Sequence, residues 1–249
     1  MLTEERYQLI LQLLNERNAV TVSELSEYLK ISESTIRRDL NSLAEMGKLN
    51  KVFGGATALT QSSGIYETGV ANRAQTMSEE KTAIARYAAT LINDDDFVFI
   101  DAGTTTSRMI DFMSNNKATF VTNGIIHGQK LIQKGLDTYI LGGKIKPLTE
   151  AIVGSVGVKS LEGFNFTKAF MGTNGIELNA GFTTPDIVEA CLKEAVVRNA
   201  YMTFVLADHT KFRKVCAVTF APLTVGCIIT DECPDPKYSE KTIIKEVNK

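Results

Sequence analysis

Residues that hold metal ions or form disulfide frameworks are scarce in this chain. It contains no tryptophan, two histidines and four cysteines among 249 residues. The cysteines lie far apart, at Cys191, Cys216, Cys227 and Cys233. Their spacing matches neither a CxxC pair nor a set of zinc ligands. We therefore expect no metal site, no cofactor and reduced, incidental thiols.

Long apolar runs and an excess of either charge are also missing. Runs such as 97–100 fall far short of the ~20 residues of a membrane helix. The N-terminus is charged from Glu4 and lacks the apolar core of a secretory signal. We therefore expect a soluble, cytoplasmic protein with no membrane partner. Since 27 basic residues face 29 acidic ones, any binding of nucleic acid must depend on local pattern.

A change of composition between Ala56 and Met77 divides the chain into three predicted regions, which are a small domain at 1–56, a linker at 57–77 and a larger domain at 78–249. The first region carries three helical patterns. One apolar face is formed by Tyr7, Ile10, Leu11 and Leu14. The S/T-x-x-E box of Thr21 and Glu24 predicts the start of a second helix, which ends at Leu29.

The third helix is predicted from Ser32, which suits an N-cap, to Gly47, which suits the C′ position. Its buried stripe would be Ile36, Leu40 and Leu43. Residues 48–53, followed by a Gly-Gly pair, predict a basic hairpin. Helix, helix and hairpin in this order are typical of a winged helix-turn-helix that binds duplex DNA.

The polar face of the third helix carries the groups that read DNA. Ser34, Arg38 and Asn41 lie opposite the apolar stripe, with Thr35 and Arg37 beside them. Residues 1–55 nevertheless hold seven basic and eight acidic side chains, so a small protein-interaction module is an alternative, with Arg38 and Asp39 on a solvated face. DNA binding is favoured because four of the seven basic residues fall within positions 37–51.

Beyond residue 77, short β-prone runs alternate with helix-length segments. The predicted strands are 97–100, 119–122, 138–141, 168–171, 203–207 and 227–230. Predicted helices include 81–92, 125–134 and 187–199. This alternation predicts an α/β domain with a mostly parallel sheet covered by helices.

The predicted strands end in small or polar residues, which would meet at one edge of the sheet, where open α/β folds bind ligands. The run DAGTTT at 101–106, followed by a helix beginning near Ser107, suggests a phosphate cradle. Alternatively, Asp101 caps a helix and the threonines fill a βα turn. The run GSVGVKS at 154–160 lacks the GK[ST] element, so nucleoside triphosphate binding is not expected.

Acidic residues also leave an enzyme open as an alternative. A phosphosugar isomerase needs a carboxylate base and a group that polarises a carbonyl. Lys211 could serve as the polarising group, and the candidate carboxylates are Asp101, Glu150, Asp186, Glu189 and Asp208. No spacing orders them as a catalytic set, and carboxylates also bind sugar hydroxyls in proteins that do no chemistry. Ligand recognition is the simpler interpretation.

The run SESTIRRDLNSLAEMGKLNKVFGGA closely resembles the winged helix-turn-helix of the DeoR family of bacterial transcriptional repressors. Lys51 and Phe53 stand where that family commonly has Arg and His. In the second half, DAGTTT, TNG at 122–124, LGG at 141–143, FMGTNGI and ADHTKF are similar to the family's effector domain. The segment FTTPDIVEACLKEAV most resembles the fructose operon repressors.

The resemblance implies a non-enzymatic repressor whose effector domain is similar to ribose 5-phosphate isomerases and binds a sugar phosphate, here fructose 1-phosphate. It implies DNA contacts from Thr21, Ser32, Ser34, Thr35, Arg37, Arg38 and Lys51. It implies effector contacts from Lys81, Asp101, Gly103, Thr104, Thr105, Thr106, Asn123, Gly142, Gly143, Lys144, Asn174, Asp208 and Lys211. Because one recognition helix reads few base pairs, we also expect a homo-oligomer, at least a dimer. The alternative is a phosphosugar isomerase or deaminase with an accessory helical domain.

Overall fold

The computed structural model describes residues 3–17, 19–46, 48–58, 70–114 and 117–247. These fall into two compact units, Met1–Ser63 and Gly64–Lys249, which are described separately. Residues 59–69 of the predicted linker lie outside the described residues. The remainder of that linker contains the end of a strand and a short helix.

The N-terminal unit packs three helices against a three-stranded antiparallel sheet. Its elements are α1 (Thr3–Arg17), β1 (Ala19–Thr21), α2 (Val22–Leu29), α3 (Glu33–Glu45), β2 (Leu49–Val52) and β3 (Gly55–Ala58). The sheet order is β1-β3-β2, and β2 with β3 forms the predicted hairpin. Ile36, Leu40 and Leu43 are buried against residues of α1 and α2, as the apolar stripe predicts.

The predicted N-caps of this unit are confirmed. Thr21 and Glu24 form a reciprocal capping box at the start of α2, and the Ser32 side chain accepts the N–H of Thr35 at the start of α3. The predicted C′ residue Gly47 lies outside the described residues. These caps satisfy backbone N–H groups that the first helical turn leaves without a partner.

The placement of Asp39 on a solvated face is wrong. Asp39 is buried and accepts two hydrogen bonds from the guanidinium of Arg6 on α1, at 2.5 and 2.8 Å. A helix turns about 100° per residue, so Asp39 lies beside the buried Leu40 rather than with the exposed Arg38. The pair joins α1 to α3.

The C-terminal unit is built on a seven-stranded parallel sheet. Its elements are α4 (Val70–Gln75), α5 (Ser78–Ala89), β4 (Phe97–Ile100), α6 (Thr104–Asp111), β5 (Thr119–Thr122), α7 (Ile125–Gln133), β6 (Asp137–Ile140), β7 (Lys144–Lys146), β8 (Ala151–Val153), α8 (Ser155–Lys159), β9 (Phe166–Gly172), β10 (Gly175–Glu177), β11 (Gly181–Thr184), α9 (Ile187–Arg198), β12 (Ala200–Leu206), β13 (Val218–Ala221), β14 (Cys227–Thr230) and β15 (Ile244–Glu246). The sheet order is β15-β14-β12-β9-β4-β5-β6. Apolar clusters cover both of its faces, as a parallel sheet requires.

The predicted parallel sheet and its helices are confirmed, with two differences. Short antiparallel strands, β7 with β8 and β10 with β11 and β13, form two further small sheets that the sequence pattern did not predict. Helix α6 begins at Thr104, and the prediction that it begins near Ser107 is wrong. Gly103 takes the N-cap position with extended backbone, and the N–H of Ser107 already donates to the Gly103 carbonyl at 2.9 Å. Among the described residues, no helix is both long and apolar enough to cross a membrane.

Candidate functional site

The outward face of α3 presents the polar side chains expected to meet DNA. Ser34, Arg38 and Asn41 are exposed along it. Arg37 is exposed as well, but its guanidinium donates to Glu33 one turn earlier at 3.1 Å. Glu33 also accepts the Ser23 hydroxyl at 2.9 Å, and these two bonds lower the pKa of its carboxyl. Arg38 is therefore the guanidinium of this face that no carboxylate engages among the described residues.

Two of the predicted DNA contacts, Thr21 and Ser32, are N-caps of helices. The Thr21 hydroxyl donates to Glu24 at 2.8 Å and accepts the Glu24 N–H at 3.1 Å. The Ser32 hydroxyl lies 3.0 Å from the hydroxyls of both Ser34 and Thr35. The Thr21 contacts cap α2, and the Ser32 contacts position the N-terminus of α3, where N–H groups favour an anion such as a DNA phosphate.

The β2–β3 hairpin forms the wing. Lys51 is exposed on β2, and Phe53 is fully exposed at the tip. The next residue, Gly54, turns the chain with a φ of 85°, and its carbonyl accepts the Val22 N–H at 2.9 Å. That bond ties the tip of the wing to the start of α2.

The C-terminal unit has a pocket where three neighbouring strands end. Asp101 follows β4, Thr173 and Asn174 follow β9, and Asp208 follows β12. Because β4, β9 and β12 are adjacent and parallel, their carboxyl ends meet at the same edge. The full lining comprises Arg73, Lys81, Asp101, Ala102, Gly103, Thr104, Thr105, Thr106, Thr149, Gly172, Thr173, Asn174, Glu189, Lys193, Leu206, Ala207, Asp208 and Lys211.

Nine of the thirteen predicted effector residues line this pocket, namely Lys81, Asp101, Gly103, Thr104, Thr105, Thr106, Asn174, Asp208 and Lys211. The other four do not. Asn123 lies behind the loop, where its amide oxygen accepts the Ala102 N–H at 2.8 Å. Gly142 and Gly143 precede β7, and Lys144 is exposed on that strand.

Other lining residues were not among the predicted contacts. Glu189 was considered only as a catalytic candidate, and Lys193 follows it by one turn on α9. Their spacing of four places both on one face of α9, which is a signal that the sequence does carry, whereas their burial is seen only in the structure. Thr149 and Arg73 lie in loop and linker sequence, and no pattern marks them.

The N-terminus of α6 supplies donors to the pocket. The first hydrogen bond of the helix runs from the Ser107 N–H to the Gly103 carbonyl, so the N–H groups of Thr104, Thr105 and Thr106 have no acceptor within the helix. The Thr106 hydroxyl is fully buried and bonds within the loop, to the Asp101 carbonyl at 2.6 Å and from the Gly103 N–H at 3.0 Å. Thr104 and Thr105 thus offer their hydroxyls, whereas Thr106 shapes the loop.

His127 supports this loop from behind. Its Nε2 lies 3.0 Å from the Gly103 carbonyl and 3.1 Å from the Thr106 hydroxyl. Burial lowers the pKa of the imidazole to about 4, so His127 is neutral at physiological pH. Its role is to hold the turn into α6.

Several cations lie in or beside the pocket. Lys81 is only 3% exposed, and burial lowers the pKa of its ammonium to about 8. Asp208 opposes that shift, whereas Lys211, Arg108 and Arg73 reinforce it. Several cations around one carboxylate leave a positive field that an anion would neutralise.

The pocket lining also contains carboxylates that are held by hydrogen bonds from protein groups. Asp101 is only 2% exposed. Its carboxylate accepts a hydrogen bond from the Lys193 ammonium and a second one, at 2.9 Å, from the Gly172 N–H. Glu189 accepts the Thr149 hydroxyl at 2.8 Å and lies 3.3 Å from the Lys146 ammonium. Carboxylates held in this way can accept hydrogen bonds from sugar hydroxyls.

No cluster of three or more His, Cys, Asp or Glu side chains suited to a metal ion occurs in the part of the chain that the structure describes. The pocket carboxylates all accept hydrogen bonds from protein groups, since Asp208 also accepts the Thr210 hydroxyl and N–H. The arrangement can bind a small molecule with an anionic end and a hydroxyl-rich end.

Comparison with known proteins agrees with the division of the chain into a helix-turn-helix unit and a unit that carries the pocket. Residues 6–62 match the family described as DeoR-like helix-turn-helix domain, and residues 76–232 match the DeoR C terminal sensor domain. The chain is 41% identical to an uncharacterized HTH-type transcriptional regulator, FruR, of Bacillus subtilis strain 168, over 99% of both chains. It is 30% identical to a lactose phosphotransferase system repressor of Streptococcus mutans, over 97% of this chain and 96% of that one. Among solved structures, ribose 5-phosphate isomerase A from Methanocaldococcus jannaschii matches 54% of each chain at 15% identity, with a TM-score of 0.41.

Proposed function

Because this chain belongs to the DeoR family of helix-turn-helix transcriptional regulators, we propose that it represses a sugar-utilisation operon and leaves its operator when a sugar phosphate binds the C-terminal pocket. The two matched regions correspond to the two compact units. One unit carries the exposed α3 face and wing, and the other carries the pocket. A DNA-binding unit and a sensor in one chain suit a ligand-controlled repressor.

The observation that carries the effector class is the convergence of cations with the N-terminus of α6. Arg73, Lys81 and Lys211 line the same pocket as the free N–H groups and hydroxyls of Thr104 and Thr105. A phosphate ester supplies the two negative charges and several acceptor oxygens that such donors require. A neutral sugar would leave the cations uncompensated, so the ester should be essential.

Fructose 1-phosphate is the proposed effector. The name of the FruR relative and the segment 182–196, which resembles fructose operon repressors, both support a fructose derivative. In the pocket, Asp101 and Glu189 would accept the ketose hydroxyls while the phosphate meets Lys81 and α6. Recognition, rather than turnover, is the proposed role.

The proposed active form on DNA is a homo-oligomer, at least a dimer. One α3 helix reads only a few base pairs, and two-fold pairing doubles the site. Sedimentation of the protein with and without its operator measures this directly. A monomer at micromolar concentration in both samples contradicts the proposal.

An enzyme acting on phosphosugars is the second candidate, because the pocket contains carboxylates beside a lysine. It predicts product formation from a sugar phosphate in the absence of DNA. Product detected by NMR during long incubation with stoichiometric protein would favour the isomerase or deaminase. Binding with no turnover favours the repressor.

The decisive experiment is fluorescence anisotropy with the promoter region upstream of the protein's own gene. Fructose 1-phosphate should release the DNA, fructose 6-phosphate and glucose 6-phosphate should act more weakly, and free fructose should not act. The double variant T104A/T105A should keep operator affinity and lose release, since each hydrogen bond to a charged group contributes about 1.5–3 kcal/mol. The matched control is S107A, which changes the next hydroxyl of the same helix outside the pocket lining. If no sugar phosphate binds by calorimetry, the effector proposal fails.

A further inference from the structure

Helix α4 is the first described element after residues 59–69, through which the chain passes from the DNA-binding unit to the sensor unit. Its range, Val70–Gln75, falls in the predicted linker. Arg73 nevertheless lines the pocket together with Lys81. A residue of the connecting segment therefore borders the ligand site.

Two cations of the sensor unit hold the end of α4. The Lys81 ammonium donates to the Thr76 carbonyl at 2.8 Å and also to the Arg73 carbonyl. The guanidinium of Arg108 donates to the Ala74 carbonyl at 2.8 Å. Carbonyls in the last turn of a helix lack intrahelical donors and favour cations, so these bonds fasten α4 at its C-terminal end.

Both fastening groups are connected to the pocket. Lys81 lines the pocket, and an ammonium has three hydrogens, of which two already go to α4. Arg108 belongs to α6, whose N-terminus borders the pocket. An anion placed between α6 and Lys81 must act on the same ammonium that holds α4.

Arg73 provides the second link. Its Nε atom is buried and has no hydrogen-bond partner among the described residues. Buried N–H groups are almost always paired in native structures, so an unpaired one on a residue that lines a pocket points to an acceptor supplied by a ligand. The oxygens of a phosphate ester are such acceptors.

We propose that α4 is the relay through which the sensor pocket controls the DNA-binding unit, with Arg73 as a direct contact of the ligand's phosphate. The proposal rests on the proposed function and identifies how it is regulated. In the free protein Lys81 and Arg108 hold α4, and in the bound protein the phosphate joins Arg73 to Lys81 and α6. The bound ligand therefore changes the contacts of α4 and favours a placement of this helix different from that in the free protein. A ligand can shift an equilibrium only if it interacts differently with the two states.

The test compares R73A with K211A, because both remove one pocket cation and only Arg73 lies on α4. Fructose 1-phosphate affinity is measured by calorimetry, and operator release is measured by anisotropy at saturating ligand. Both variants should bind the ligand at least about tenfold more weakly. Saturated K211A should release the operator as completely as the wild type, whereas saturated R73A should retain at least half of its DNA complex.

A third variant, R73K, keeps the positive charge and removes the Nε donor. It replaces R73A in the test if R73A does not fold. It should bind within a few-fold of the wild type and release the operator incompletely. Hydrogen exchange of residues 70–77 gives an independent measurement. Ligand should slow exchange there in the wild type and K211A, and should leave it unchanged in R73A.

The outcomes separate this inference from the function on which it rests. If no sugar phosphate releases the wild type from DNA, the proposed function fails. If the wild type responds and saturated R73A and R73K release DNA completely, the relay is wrong and the sensor function stands. Unchanged ligand affinity in R73A would refute the phosphate contact.

Discussion

Replacing Arg6 with alanine should destabilise the N-terminal unit by about 2–3 kcal/mol. Arg6 donates two hydrogen bonds to Asp39, and the two side chains are 13% and 6% exposed. Removing one member of a fully buried ion pair costs about 3–5 kcal/mol, because the other charge is left desolvated. The smaller figure follows because Arg6 lies at the edge of the core, and its truncation lets water reach the Asp39 carboxylate.

Native-state hydrogen exchange of α3 amides, such as those of Leu40 and Leu43, reports this free energy in the full chain. The control is R37A, which breaks the exposed pair with Glu33 on the same helix. It should leave exchange unchanged within error, since exposed ion pairs contribute little.

A double variant separates charge from packing. Adding D39N to R6A removes the stranded charge and should recover more than half of the lost stability. Equal protection of α3 in R6A and R37A would refute the reasoning, because the buried pair would then contribute no more than a surface pair. No recovery in R6A/D39N would show that the loss comes from packing alone.

Four further outcomes follow from the geometry. Fructose 1-phosphate affinity should fall about tenfold per pH unit above about 8, as Lys81 loses the proton that attracts the phosphate. Folding stability should change in the opposite direction and rise between pH 8 and 10.5, since the unfolded chain then holds that proton more tightly. R38A should weaken operator binding by about 1–3 kcal/mol, because its guanidinium is exposed on the face of α3 that we propose meets DNA. F53A should weaken operator binding by about 1–2 kcal/mol without changing stability, since this side chain is exposed at the wing tip and can bury apolar area against DNA.

The ligand-binding outcome and the two operator-binding outcomes have matched controls. Calorimetry on K81M should show no decline in affinity above pH 8, and a decline equal to the wild type would assign the titration to another group. K117A changes an exposed lysine of the sensor unit and should leave operator affinity intact. If R38A or F53A binds the operator as tightly as K117A does, that residue does not contact DNA.

Local signals in the sequence predicted the elements well, because each depends on near neighbours. The capping box of Thr21 and Glu24 and the N-cap of Ser32 are contacts between residues three apart. The Ile36, Leu40 and Leu43 stripe follows from helical periodicity. The parallel sheet followed from β-prone runs that alternate with helical segments.

The start of α6 shows where local signals were insufficient. DAGTTT indicated a tight turn, but the position of the first helical residue depends on the Thr106 hydroxyl, which closes the loop on Gly103, and on His127 behind it. His127 lies 21 residues from Thr106 and on another helix. A contact of that separation has no sequence signature.

The sequence by itself determined the helices and hairpin of the N-terminal unit, six of the seven strands of the parallel sheet, and the strand ends that place Asp101, Thr104 and Asp208 at one edge of that sheet. Only the tertiary structure decided which charges are paired. Asp39 is buried against Arg6, Asp101 is held by Lys193, and Arg73 of the predicted linker reaches the pocket beside Lys81. The two ion pairs join residues 33 and 92 positions apart, and the Lys81 ammonium binds the backbone carbonyl of Arg73, 8 positions away. Periodicity and capping act over three or four residues, whereas the partner of a buried charge is whichever group the packed elements bring within hydrogen-bonding distance.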